Sequence, residues 1–443
     1  MSDSQPPEPG IGPIDTSGDR VDLRPGSDDC YACSTCDTNC PVAAVEDSFP
    51  GPKFQGPEQW RLSRDGEPSI DPSIMECSNC MRCDSSCPSD VPLSEMHNEA
   101  RAEYVRSDLS KLSRTYWRNR LLANYRTSAW LASKLPRLAN AVMGFGPVRW
   151  LLDRTLGVTA EREFPEFATE TFREWWEGRG GAAESRVRAR ERRERLGHDP
   201  DADLKVAYFH GCYANYNTPE VGKAMVRVFE HFGYEVVVPE QRCSGTPMFA
   251  NGMLADARRH AAVNVDSLGD AVEAGYSVIT SCTSCSMALR QEYSELFELS
   301  GIETLAENTW EALEFLRTKT DVADELAAAE VSEAAYGALA YHAPCHARDQ
   351  GLDGQPVELF ADLAGVEAAD VGDSCSGISG TYGWKDEHYE TSMAIGADMF
   401  EHMEQVPGET GLTECPTCAS QMEHGTGYEI RHPLEVVESA LCK

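Results

Sequence analysis

Sixteen of the seventeen cysteines in this chain fall into four spaced groups, and the spacing limits what each group can do. Cys77, Cys80, Cys83 and Cys87, followed by Pro88, are spaced C-x2-C-x2-C-x3-C-P. Cys30, Cys33, Cys36 and Cys40, followed by Pro41, repeat that pattern. Such a run binds a [4Fe–4S] cube. Three thiolates at three-residue intervals let one tight loop hold three corners of the cube. The fourth Cys, set apart by the turn-forcing Pro, reaches the other cluster. Cys30, Cys33, Cys36 and Cys87 are therefore expected to hold one cube, and Cys77, Cys80, Cys83 and Cys40 the second. Structural zinc usually takes two C-x2-C pairs about a tetrahedral ion. It requires neither the third Cys nor the Pro-flanked fourth, and both details occur twice. Two such cubes move electrons one at a time.

The last 240 or so residues hold the other two groups, as an internal repeat. Cys212, Cys243, Cys282 and Cys285 are followed by Cys345, Cys375, Cys415 and Cys418, at offsets of 133, 132, 133 and 133 residues. Each copy carries Cys-Ser-Gly at its second position and ends in C-x2-C. Four thiolates per copy point to one further iron–sulfur cluster in each, with zinc or free dithiols as the alternatives. Ser244 and Ser376, next to the second Cys, are harder and less acidic than thiols. They are expected to donate hydrogen bonds to the sulfurs, not to bind iron. Gly377, Gly380 and Gly383 permit close backbone approach to a cluster. A helical pattern after each C-x2-C favours thiolate. His342 and His346 flank Cys345 as ligands, proton carriers or structurally bonded loop histidines.

These groups must be positioned by something, and the periodicities say what. Val206–Phe209, Val236–Val238 and Val278–Thr280, with a helix at Pro219–Phe232, alternate strand and helix. Ala338–Tyr341 begins the same series again. That alternation predicts a largely parallel sheet in each copy, with cysteines at the strand ends, where ligands gather. The expected fold is multidomain, α+β and α/β. A disordered tail (1–26) precedes a two-cluster ferredoxin-like helical domain (27–105), in which Leu93–Val105 reads as a helix. A basic amphipathic arm and charged linker follow (106–203). Two pseudo-twofold-related α/β cysteine-rich repeats (204–330 and 331–443) complete the chain.

The arm differs from its surroundings. Residues 111–160 carry nine Lys or Arg and one acid, Asp153, in a chain of net charge −34. Trp117, Leu121, Tyr125 and Leu131, then Leu135, Leu138, Val142 and Phe145, fall three or four apart, interrupted by Pro136. Arg114, Arg118, Arg126, Lys134 and Arg137 form the basic side. Such a helix lies in a membrane interface or packs on its own protein. The acidic excess, with 8 Lys among 39 basic residues and 41% hydrophobic content, reads as a folded, heavily hydrated, halophilic surface. It argues against nucleic acid as a partner. The Debye length in molar salt is about 3 Å, so membrane contact would rest on the Trp and Leu face. The N-terminus is polar, without a signal-peptide pattern, and no apolar run is long enough to span a bilayer.

His210-Gly-Cys-Tyr-Ala-Asn-Tyr-Asn217, Tyr341-His-Ala-Pro-Cys-His346, Cys375-Ser-Gly-Ile-Ser-Gly-Thr-Tyr-Gly-Trp384 and Thr391-Ser-Met-Ala-Ile-Gly-Ala397 carry a resemblance. With the paired ferredoxin runs, they resemble the iron–sulfur C-subunit family of anaerobic glycerol-3-phosphate dehydrogenases, over about residues 27–440. More broadly they resemble subunits of heterodisulfide reductase, glycolate oxidase and lactate utilisation. The narrower resemblance implies a non-catalytic electron-transfer subunit of an oxidoreductase. It would take electrons from flavin-containing subunits to a membrane quinone, docked peripherally at the cytoplasmic face. No G-x-G-x-x-G dinucleotide fingerprint follows a strand, which agrees with a subunit that lacks the substrate site. The family pattern is Cys-Cys-Gly where this chain has Ser244 and Ser376. That departure weakens a heterodisulfide-reducing role.

Overall fold

The computed structural model describes residues 29–59, 70–332 and 336–442. The expected N-terminal tail lies outside the described residues, as does part of the insert between the two ferredoxin runs. Each ferredoxin run ends its loop in a single helical turn, Thr35–Thr38 and Arg82–Ser85. A longer helix, α1 (Leu93–Ser107), follows the second run and buries ten of its residues. Arg101 on α1 is fully buried. Its guanidinium donates to Asn98 Oδ1 (2.9 Å), Asn79 Oδ1 (3.3 Å), Cys77 O (3.2 Å) and Phe249 O (3.3 Å). One side chain thus joins the second cysteine loop to the C-terminal half.

The arm forms four helices: α2 (Arg114–Ala123), α3 (Tyr125–Ala132), α4 (Pro136–Met143) and α5 (Gly146–Leu156). Ser113 caps α2 by accepting from Tyr116 N (3.2 Å). Pro136 restarts the helix at the first position of α4, where its missing N–H costs nothing. The apolar stripe does not pack as one face. Tyr125 turns inward and bonds Asn217 Oδ1 (2.7 Å), while Trp117, Leu121, Leu131, Leu135, Leu138, Val142 and Phe145 are exposed. No residue of α4 or α5 is buried. Both ends of the arm are tied down. Arg118 is buried and pairs with Glu387, and Thr159 N donates to Trp384 O (3.0 Å).

The stretch expected as a charged linker is packed. α6 (Phe172–Gly178) opens with a capping box between Thr171 and Glu174, and Phe172 and Trp176 enter the main core. α7 (Gly181–Leu196) is polar nearly all round, as a charged linker would be. It nevertheless lies along the first repeat's sheet. Ser185 Oγ accepts from the strand N–H of Val236 (3.0 Å), and Arg186 and Arg179 pair with Glu235 and Glu230. Long Arg stems cover apolar surface while their heads find carboxylates.

Each repeat is a four-stranded parallel sheet. The strands are β1 (Lys205–Phe209), β2 (Glu235–Val237), β3 (Ser277–Thr280) and β4 (Thr309–Glu311), then β5 (Gly337–Tyr341), β6 (Val366–Asp370), β7 (Thr410–Leu412) and β8 (Glu429–Arg431). Their orders, β2-β1-β3-β4 and β6-β5-β7-β8, are the same arrangement. β1 and β3 are buried nearly throughout, as parallel strands covered on both faces must be. The helix after the first Cys of repeat 1, α8 (Pro219–His231), packs on the last helix of repeat 2, α10 (Pro433–Leu441). The reciprocal contact joins α9 (Ala312–Lys319) of repeat 1 to Gln355–Leu359 of repeat 2. Arg227–Glu438 and Arg317–Glu358 bridge the two contacts, one ion pair in each. The repeats are thus related by a pseudo-twofold, and one hydrophobic core runs through both.

Candidate metal centres

The two ferredoxin loops share an unusual backbone. Six described non-glycine residues have a left-handed φ. Ala32 and Ser34 lie in the first loop, and Asn79 and Met81 occupy the same positions in the second. Left-handed L-residues cost roughly 1–2 kcal/mol each, so two loops do not share four of them by drift. Alternating handedness turns backbone N–H groups inward, making an anion-binding concavity. Ala32 N donates to Cys30 Sγ (3.4 Å) and Ala43 N to Cys40 Sγ (3.5 Å).

Two small cavities lie inside these loops, each about 20 Å³. Cys30, Cys33, Cys36 and Cys87 line one. Cys40, Cys77, Cys80 and Cys83 line the other. Each cavity therefore takes three cysteines from one run and the Pro-flanked Cys from the other, the exchange expected from spacing. Burial pushes the Cys36 thiol up to about 12 and Cys40 up to about 11. A coordinated iron reverses this, because a metal-bound thiol is deprotonated outright. Burial also opposes ionisation of Cys77, but Arg101 and His97 outweigh it and bring that thiol to about 6. His97 lies 3.9 Å from Cys77 Sγ and is oriented by Pro52 O (3.0 Å).

The repeat cysteines converge likewise. Cys345 and Cys375 Sγ are 3.7 Å apart, and Ser376 Oγ donates to Cys418 Sγ (3.3 Å). A hydrogen bond from Cys418 brings Cys415 down to about 6. In repeat 1, Cys212 and Cys243 are hydrogen-bonded. That bond pushes Cys212 well up and lowers Cys243 to about 7. Cys285 Sγ lies 3.6 Å from Ser244 Oγ. Each serine thus stands beside the last Cys of its own repeat. Gly245 (φ +105°) and Gly377 (φ +83°) make the two Cys-Ser-Gly turns, where an L side chain would be strained. A Cβ on Gly377 would also strike Ser392 O. Gly377 N donates to Cys375 Sγ (3.4 Å), whereas Gly383 N goes to Ile378 O. Among the described residues, no three Cys, His, Asp or Glu side chains close on one point as a single ion requires. A cluster spreads its ligands over separate irons. His342 and His346 are neutral, held by burial near 3 and 4, and neither ring nitrogen of His342 has a partner among the described residues.

The four groups adjoin one another. Cys40, Cys375 and Tyr382 pack in one buried cluster, with Cys77 and Cys345 against it. Arg82, beside Cys83, makes two bonds of 3.0 Å to Asp373, two residues before Cys375. Ser284, between Cys282 and Cys285, has its Oγ 4.0 Å from Cys415 Sγ. Arg82, Arg101 and Arg126 bring positive charge to the cysteines. Nothing in the sequence separates these from the other basic residues except their scarcity in an acidic chain.

Residues 26–91 match the 4Fe-4S dicluster domain family, and residues 206–290 and 339–423 each match the cysteine-rich domain family. The chain is 33% identical over 419 residues to the C-subunit of the anaerobic glycerol-3-phosphate dehydrogenase of Escherichia coli (strain K12). That alignment covers 94% of this chain and 98% of the relative. The chain belongs to the C-subunit family of anaerobic glycerol-3-phosphate dehydrogenases. Iron–sulfur clusters are its cofactors. More distant relatives share about half of it. The B-subunit of fumarate reductase (CoM/CoB) from Methanothermobacter marburgensis is 28% identical over 56% of this chain and 48% of its own length. Lactate utilization protein A of Shouchella clausii is 31% identical over 53% of this chain and 99% of its own.

Arg126 carries a prediction. Its positive charge favours thiolate at both Cys212 and Cys243, and charge near a cluster sets its potential. Arg126→Gln is expected to lower the potential of a repeat 1 cluster by on the order of 60 mV, equal to about 1.4 kcal/mol for one electron. Redox titration followed by electron paramagnetic resonance measures this. The ferredoxin-type signals should not move.

Proposed function

We propose that this chain is the electron-transfer subunit of a glycerol-3-phosphate dehydrogenase complex. A flavin-bearing partner oxidises glycerol 3-phosphate, and this chain conducts the electrons to a membrane quinone. The single observation that carries the reading is the continuity of the four cysteine groups from an exposed end to the inter-repeat face. Membership of the C-subunit family across 94% of the chain supports it.

Cys30, Cys33, Cys36 and Cys87 hold the first cube, and Cys40, Cys77, Cys80 and Cys83 the second. Cys345, Cys375, Cys415 and Cys418 hold a third cluster, and Cys212, Cys243, Cys282 and Cys285 a fourth. Cys33 is exposed, as is Tyr31 close by, so the first cube is where a donor can approach. The second cube adjoins Cys345 and Cys375, and Cys415 adjoins Ser284 of repeat 1. The clusters accept and release single electrons. The protein holds them in order, excludes water and sets their potentials through Arg82, Arg101, Arg126 and the two serines. The isolated chain is expected to show no glycerol 3-phosphate oxidation with an artificial acceptor. Activity should appear when the flavoprotein partner is added, and turnover by the flavin-free chain alone would contradict the reading.

The arm is the attachment surface to the membrane, at its cytoplasmic face. Among the described residues no helix is long and apolar enough to cross a bilayer. Of the 15 large apolar side chains that stand exposed among the described residues, 11 lie in residues 111–160, including Trp117, Trp130 and Trp150. Single exposed apolar residues are ordinary, but a contiguous set marks an interaction surface. Replacing Trp117, Leu121 and Trp130 by Ser is expected to move the complex from the membrane to the soluble fraction on cell fractionation. An unchanged distribution would remove the arm from this role.

A further inference from the structure

The pseudo-twofold leaves a large cavity between the repeats. Its volume is about 440 Å³, against about 20 Å³ for each ferredoxin-type cavity. Cys212, Cys243, Cys282 and Cys285 line one wall, and Cys415 of repeat 2 lines the other. A cluster on the repeat 1 cysteines accounts for a small part of this space, as the ferredoxin-type cavities show. The remainder lies within the roughly 300–1,000 Å³ typical of small-molecule sites. Leu122, Phe164, Val221, Trp384 and Ile430 make the walls predominantly apolar.

Most polar groups on the walls are already paired. His210 bonds Gly211 O and accepts from Arg173. His432 donates to Ser281 O and accepts from Leu434 N. Tyr125 donates to Asn217. Tyr213 is different. Its ring stacks on Tyr125 at 5.4 Å, and its hydroxyl has no hydrogen-bond partner among the described residues. A free phenol donor in an apolar cavity beside thiolates matches a ligand with a carbonyl oxygen on a flat apolar body. Leu122 and Tyr125 come from α2 and α3, whose other faces expose Trp117, Leu121, Trp130 and Leu131. The cavity therefore adjoins the surface assigned to the lipid.

The geometry points to this inter-repeat cavity as the site that binds the head group of a quinone, with Tyr213 donating a hydrogen bond to one carbonyl. This rests on the reading that the chain delivers electrons to a membrane quinone. The quinone gains two electrons and two protons, and its two C=O groups become C–OH. The electrons would come singly from the cluster that Cys212, Cys243, Cys282 and Cys285 would hold, and ultimately from glycerol 3-phosphate oxidised at the flavoprotein partner. The protons come from water at the cavity's mouth, where Glu220 and Thr218 are exposed. Repeat 2 contributes the opposite wall, so neither repeat forms the site alone.

The test uses the full chain with its clusters, kept anaerobic, and a tail-less 2-methyl-naphthoquinone as probe. Equilibrium dialysis gives the Kd. A photoreactive azido derivative, followed by mass spectrometry, gives the labelled peptides. Label is expected on peptides containing Tyr213, Trp384 or Ala419, which also lines the cavity on the repeat 2 side. Tyr213→Phe should weaken binding about tenfold, the loss of roughly one hydrogen bond (about 1.4 kcal/mol). Ala419→Trp, which fills the cavity, should abolish binding while iron content stays that of the parent. Label confined to other peptides, or an unchanged Kd in both variants, would overturn the proposal. So would binding of a small disulfide in place of the naphthoquinone. A complex that oxidises glycerol 3-phosphate with a dye but reduces no quinone would defeat the acceptor reading itself. A complex that reduces quinone at parental KM in both variants would defeat only this site.

Discussion

Burial of thiol sulfur is the constraint on which this structure depends. Eight of the sixteen grouped cysteines are buried, and of these sixteen only Cys33 is exposed. A buried thiolate without a counter-charge is costly, and the fold answers with three kinds of support. Inward N–H groups come from left-handed loop residues, as at Ala32 and Asn79. Guanidinium groups come from Arg82, Arg101 and Arg126. The remaining charge is what iron neutralises when a cluster is bound. Removing iron from such a protein would leave Cys36 and Cys40 protonated, since burial holds them at about 12 and about 11, and the loops without the ligand that offsets their strain.

The repeats solve the same problem by topology. In a parallel sheet all strands end on one side, and ligands gather there. β1 and β3 run into Cys212 and Cys282, and β5 and β7 run into Cys345 and Cys415. The pseudo-twofold then turns these ends toward each other, because α8 packs on α10 and α9 on Gln355–Leu359. The second ferredoxin-type site rests on Cys345 and Cys375, and repeat 1 faces the arm. A path of cysteine groups from exposed Cys33 to the repeat 1 cysteines beneath the arm is thus a consequence of how two copies of one unit pack.

Much of this was legible in the residues. The cysteine spacing grouped the residues that line the two small cavities, and the offsets predicted two equivalent sheets. The alternation around β1, β2, β3 and β5 located those strands within a residue or two. What escaped had weak local signal. β4 (Thr-Trp-Glu) and β8 (Glu-Ile-Arg) are three residues long, carry no apolar run, and owe their pairing to the sheet edge. α7 reads as a charged linker because its contacts to repeat 1 are made by Ser185, Arg186 and Arg193, not by an apolar stripe. The inward turn of Tyr125, away from its stripe, depends on Asn217, 92 residues on. Tyr213 follows Cys212 directly, yet only the packed repeats reveal that its hydroxyl has no hydrogen-bond partner among the described residues.

The central claim is that all four cysteine groups carry clusters in one relay. Iron content per chain, measured on anaerobically prepared protein, tests it most directly. Four cubes give about 16 iron atoms, and two give about 8, counting four irons per cube. The account predicts a value near 16 that falls by about 4 when Cys375 and Cys415 are replaced by Ala. A value near 8, unchanged by those substitutions, would leave the repeats without clusters and break the relay at its second site.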